Sequence, residues 1–115
     1  MVRGMAVALA GAMLTQVSCR QSQRRALAGD ACAKIVVRFE DAYAQSPKLC
    51  QSDMDCTCFV SISEEAPACG GVADHRTAAE LQTIAQEFYG AGCRTTMECA
   101  KRTCVVHCVR GHCQP

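Results

Sequence analysis

Residues 93–113, CRTTMECAKRTCVVHCVRGHC, place five cysteines within 21 positions and interleave them with threonine and valine. β-branched residues suit a pleated strand, and Arg110-Gly111 between the Thr103–Val109 run and His112-Cys113 predicts a hairpin returning through Cys113. Outward from this stretch the same chemistry continues. Ten cysteines lie in the 84 residues from Cys32 onward, about 12 % of them, a density that points to a disulfide scaffold. They are Cys32, Cys50, Cys56, Cys58, Cys69, Cys93, Cys99, Cys104, Cys108 and Cys113. An even set can pair completely, although ten cysteines admit on the order of a thousand pairings and spacing does not choose among them. In Cys56-Thr57-Cys58 the two cysteine side chains are expected on opposite faces of a strand, and hence with different partners.

The eleventh cysteine, Cys19, closes a different segment. Arg3 gives a positive start, Met5–Leu14 an apolar stretch, and Thr15–Ser18 a small or polar end, the layout of an export signal over residues 1–18. The apolar stretch is too short to remain as a membrane span, which needs about 20 residues. Val17-Ser18-Cys19 resembles the processing site of bacterial lipoproteins, with Gln16 standing where that family usually has Leu. The resemblance implies that Cys19 becomes the lipid-bearing first residue. Arg20 is not the aspartate associated with inner-membrane retention, so it further implies an outer-membrane or surface position. The alternative cut, Ala26-Leu27-Ala28, would release a soluble secreted chain. Either way ten cysteines remain for pairing.

Residues 19–29 then read as a flexible basic tether carrying Arg20, Arg24 and Arg25, and residues 30–115 as one cysteine-rich domain. From Cys19 onward eleven basic side chains balance eleven acidic ones. No global charge draws the chain to nucleic acid. The lack of any Asn removes N-linked glycosylation. Five aromatic residues and no Trp give a small hydrocarbon core, so covalent staples are expected to carry much of the stability.

Two helices are predicted. The first runs from Asp30, as N-cap, to about Ala44, with Cys32, Ile35, Val36, Phe39, Ala42 and Tyr43 on one face and Ser46-Pro47 as its stop. The second starts at Thr77, whose spacing to Glu80 fits a capping box. Its stripe is Ala78, Leu81, Ile84, Ala85 and Phe88, and Gly90 and Gly92 end it. Strands are predicted over Cys56–Ile62, Arg94–Glu98 and Thr103–Val109. The expected fold is a small disulfide-rich α+β domain, two helices packed on short hairpin or strand segments with about five disulfides.

Motifs for chemistry are sparse. Cys99, Cys104, His107, Cys108, His112 and Cys113 include zinc-capable types, yet no C-x-x-C occurs and export favours disulfides. Asp53 and Asp55 lack the rest of an EF-hand loop and are expected to bond turn amides. Glu64-Glu65 reads as a solvated loop, His75 as a solvated position near the second helix. The sequence holds no G-x-S-x-G, P-loop or H-E-x-x-H, and the expectation is a non-enzyme without metal or cofactor.

The order of Cys50, Asp53, Asp55, Cys56 and Cys58, then Cys69-Gly70-Gly71, the capped helix, Cys93 and Cys99–Cys113 resembles cysteine-rich lipoproteins of delta-proteobacterial type that have no assigned function. That resemblance spans about residues 50–113 and transfers no functional residue. The expected role is a structural or interaction module at the periplasm or cell surface, its membrane contact made through the lipid on Cys19. The alternative is a secreted protease inhibitor presenting Lys101-Arg102 between Cys99 and Cys104.

Overall fold

The computed structural model describes residues 12–115, with side chains from residue 29 onward. Residues 1–11 of the expected signal segment 1–18, and the side chains of its remainder and of Cys19, therefore fall outside the described residues. Elements follow the order α1 (Ala12–Gln45), a 3-10 turn (Asp53–Asp55), β1 (Cys56–Phe59), β2 (Gly71–Asp74), α2 (His75–Gly90), β3 (His107–Val109) and β4 (His112–Gln114). This is the expected disulfide-rich α+β class.

α1 begins before Asp30, so that residue lies inside the helix rather than capping it. The reason is local: Gln21 through Ala28 are mostly Gln, Arg, Ala and Leu, strong helix formers with no Gly or Pro among them. The backbone of the predicted tether, 19–29, belongs to the same helix. At the other end Pro47 forbids continuation. Lys48 then folds back, its ammonium donating to the carbonyls of Tyr43 at 2.8 Å and Ser46 at 3.1 Å while lying 4.1 Å from the Tyr43 ring centre. A cation there satisfies helix-end carbonyls and their negative dipole together.

The start of α2 differs from the capping-box reading. Asp74 is the N-cap, and its carboxylate accepts from the Thr77 amide at 3.2 Å and the Thr77 hydroxyl at 2.6 Å. Asp competes as well as Thr for this position, and here it also ends β2 in extended conformation, which presets the cap. The C-terminus follows the expected glycine stop. Cys93 N–H bonds the Phe88 carbonyl, Gly92 N–H bonds that of Tyr89, and Gly92 takes φ +85°, a Schellman closure with Cys93 and Phe88 both buried.

Ile35 and Phe39 of α1, Leu81, Ile84 and Phe88 of α2, Ile62 and Cys93 form the hydrocarbon core. Arg38 and Glu87 pair across the two helices at 2.8 Å, but both are half exposed and the pair adds little. A second cluster is built largely from cystine: Cys56, Val72 and Cys113, flanked by Cys50, Cys58 and Cys108. Sulfur here fills space that a larger domain would fill with Leu or Phe.

All ten cysteines pair, as Cys32–Cys93, Cys50–Cys108, Cys56–Cys113, Cys58–Cys104 and Cys69–Cys99. Cys56 and Cys58 have separate partners as expected, although not for the expected reason: at i and i+2 of β1 they share a face. β1 and β2 run antiparallel with Cys56 opposite Asp74 and Phe59 opposite Gly71. β3 and β4 form the hairpin turning at Arg110-Gly111, both with positive φ. It is fastened to the 48–56 segment by Cys50 N–H to the Gly111 carbonyl, Cys113 N–H to the Lys48 carbonyl, and Cys108 N–H to Asp53 Oδ1 at 2.7 Å.

Three strand expectations are corrected. Cys56–Ile62 is β only to Phe59, because Ser61–Ser63 turns inward and bonds to itself, Ser63 N–H meeting Ser61 Oγ at 2.9 Å. Arg94–Glu98 is irregular: the Thr96 amide and hydroxyl both donate to Glu64, and the Arg94 guanidinium to the Tyr89 and Cys93 carbonyls. Side chains have taken the groups a ladder would use. Thr103–Val109 is β only from His107, since the register His107 with Gln114 would set Val106 against Pro115, which has no N–H.

Candidate functional site: a cleft under the Cys99–Cys104 loop

Two disulfides fix where the most basic loop of the domain can go. Cys69–Cys99 ties its start to the turn before β2, and Cys58–Cys104 ties its end to β1. Between these posts Ala100, Lys101, Arg102 and Thr103 are all exposed and without regular structure. The loop stands off the layer made by β1, β2 and the start of α2, leaving a cleft of about 890 Å³ between them. That volume lies in the range of ligand sites, roughly 300–1,000 Å³.

The space exists because the facing residues are small. Ala78, Ala79 and Ala85 line it from α2, and Gly70 and Gly71 from the start of β2. Gly70 has φ +127°, and a Cβ there would collide with the Phe59 carbonyl oxygen. At Gly71 a Cβ would come within 3.1 Å of the Phe59 ring, which itself borders the cleft. Glycine is thus required both for the backbone turn and for the close seat of Phe59.

Of the two aspartates predicted to bond turn amides, Asp55 does so, whereas Asp53 reaches across to β3. Asp55 Oδ2 accepts from the amides of Gln51 at 2.7 Å and Ser52 at 3.1 Å, and those bonds hold its carboxyl below the ordinary range. Asp53 receives the Cys108 amide on one oxygen and lies 3.8 Å from His107 on the other. Glu64 is more than a solvated loop acid: the Thr96 hydroxyl and amide lower its pKa and pin the 94–98 segment. Burial raises the Asp74 pKa, but hydrogen bonds from Thr77 and Ser46 outweigh it and leave that carboxyl below its usual value.

Ser46 Oγ, Thr77 Oγ1 and Asp74 form one polar joint between the end of α1 and the start of α2, with 2.6 Å between the two hydroxyls. His75 is next in sequence and exposed as predicted, yet its Nε2 meets the Met54 carbonyl at 2.9 Å instead of that joint. The residues Cys99, Cys104, His107, Cys108, His112 and Cys113 do not converge as free ligands, because every cysteine among them is in a disulfide. Among the described residues the one ligand-type cluster is Cys50, Cys56 and Cys113, whose sulfurs lie within 4.8 Å of each other but belong to two neighbouring disulfides. A disulfide sulfur is not the thiolate that binds metal.

Sequence reasoning singled out Lys101 and Arg102 but missed the cleft below them. Ala78 and Ala85 were legible as part of an apolar stripe, whereas their small size was the signal that a wall beside α2 would stand clear. No protein-family model, curated protein or solved structure matches this chain.

Proposed function

We propose that this protein is an exported, lipid-anchored binding module that engages its partner at the cleft between the Cys99–Cys104 loop and the β1–β2/α2 layer. The observation that carries the reading is a large cleft held open by two disulfides in a domain of very limited core. Complete pairing of ten cysteines favours an oxidising compartment. Among the described residues no helix is long and apolar enough to cross a membrane. Cys19, at the end of the signal-like segment, is the anchor in this reading, at the outer membrane or cell surface, and the described polar groups act in folding instead of catalysis.

Intact mass of the mature protein, recovered in membrane and soluble fractions of an exporting host, tests the first half. The expected species is membrane-bound, begins at acylated Cys19, and exposes ten alkylatable thiols only after reduction. A soluble chain starting near Gly29 would replace the anchor by secretion, and free thiols before reduction would reopen metal binding.

A second reading, a protease inhibitor, is favoured by one feature. Lys101 and Arg102 are exposed between two anchored cysteines, so a cut there leaves both ends covalently held. Titration against a trypsin-like protease separates the readings. Stoichiometric inhibition supports the inhibitor; rapid cleavage after Arg102 without inhibition, the result expected for a binding cleft, removes it.

A further inference from the structure

We infer that the cleft takes an amphipathic carboxylate of the fatty-acid class, its head at Lys101 and Arg102 and its chain along the apolar wall; this rests on the binding reading above. The first argument is charge. The only charged side chains bordering the cleft are Lys101, Arg102 and, when protonated, His75, and none is acidic. Among the described residues neither Lys101 nor Arg102 has a salt bridge or a side-chain hydrogen bond, so both cations are open to an anion.

The second argument is the wall. Val60 is 77 % exposed and Val105 54 % exposed, and both border this cavity along with Phe59, Val72 and Ala85. Large apolar side chains left in water around one cavity gain from an apolar occupant, at roughly 25 cal/mol per Å² covered. A peptide in the same place would carry a backbone N–H and C=O at every residue, each needing a partner. Thr57, Gln82 and Thr103 are the few neutral polar side chains available, whereas an acyl chain needs none. A free inorganic anion would use the bases and leave the wall uncovered. The two disulfides fix the posts of the cleft in advance, which lowers the ordering cost of binding.

The test uses the full chain carrying Cys19→Ser, exported, oxidised and kept free of detergent, so that no anchor or micelle competes. A neutral fluorescent naphthylamine reports occupancy, and dodecanoate, its methyl ester and dodecylamine compete for it. Dodecanoate is expected to bind roughly tenfold more tightly than the ester, the factor for one charge-assisted contact. The double variant Lys101→Glu/Arg102→Glu should erase that advantage while still binding the neutral probe. Ala79→Phe, at an exposed position facing the cleft, should weaken all ligands without changing the helical signal or the thiol count. Equal binding of acid and ester, or indifference to the charge reversal, overturns the fatty-acid assignment and leaves a binding cleft. Failure of every probe with five disulfides intact overturns the cleft reading as well.

Discussion

Reduction of all five disulfides is expected to abolish the cooperative melting transition and leave at most non-cooperative residual helix. The bridged cysteines are 61, 58, 57, 46 and 30 residues apart, so each closes a long loop. Taken singly, a loop of that size restricts the unfolded chain by about 4 kcal/mol. The loops overlap and their contributions do not add, yet even two or three of them rival the roughly 5–15 kcal/mol stability of a whole domain. The second cluster has no replacement once reduced, because Cys56, Cys113, Cys50, Cys58 and Cys108 are most of it. Circular dichroism melts with and without reductant, paired with alkylation at intervals, follow the loss. Cys69–Cys99 and Cys58–Cys104, which include the exposed Cys99 and Cys104, should open before the buried Cys56–Cys113 pair. A reduced sample that still melts cooperatively would sink the claim.

How far the sequence carried the fold depends on the range of the interaction involved. Periodicity over one helix placed Leu81, Ile84 and Phe88, and Gly92 ended that helix, because both signals lie within a few residues. The hairpin at Arg110-Gly111 was legible for the same reason. β2 was not: Gly71-Val72-Ala73-Asp74 has little intrinsic strand preference and is extended because β1 lies beside it and both Val72 and Ala73 are buried. Asp74 was invisible as a cap while the strand before it was unknown. The pairing of ten cysteines is wholly a long-range matter, and composition could give only their evenness. The cleft is more distant still, since it depends on two of those pairings together with alanines whose meaning changes once a loop stands opposite them.

Phe39→Ala is expected to destabilise the oxidised domain by about 3–5 kcal/mol, while Val37→Ala, two positions away on the same helix, changes it by no more than about 0.5 kcal/mol. Phe39 is fully buried and Val37 is 54 % exposed, so the pair compares burial at nearly constant helix position. Urea titrations of both, with disulfides intact, give the difference in midpoint, and similar shifts for the two would refute it. The consequence reaches the cleft. Phe39 meets Phe59 edge to face, with ring centres 6.1 Å apart, and Phe59 is held from the other side by Tyr43 at 5.3 Å. Phe59 in turn lies against Gly71 and forms part of the cleft wall. Removing Phe39 frees the ring that separates the hydrocarbon core from the cleft, and the neutral probe should bind more weakly even at temperatures where the variant remains folded. On the proposed reading stability and binding are coupled through Phe59, which joins the helix pair to the cleft wall.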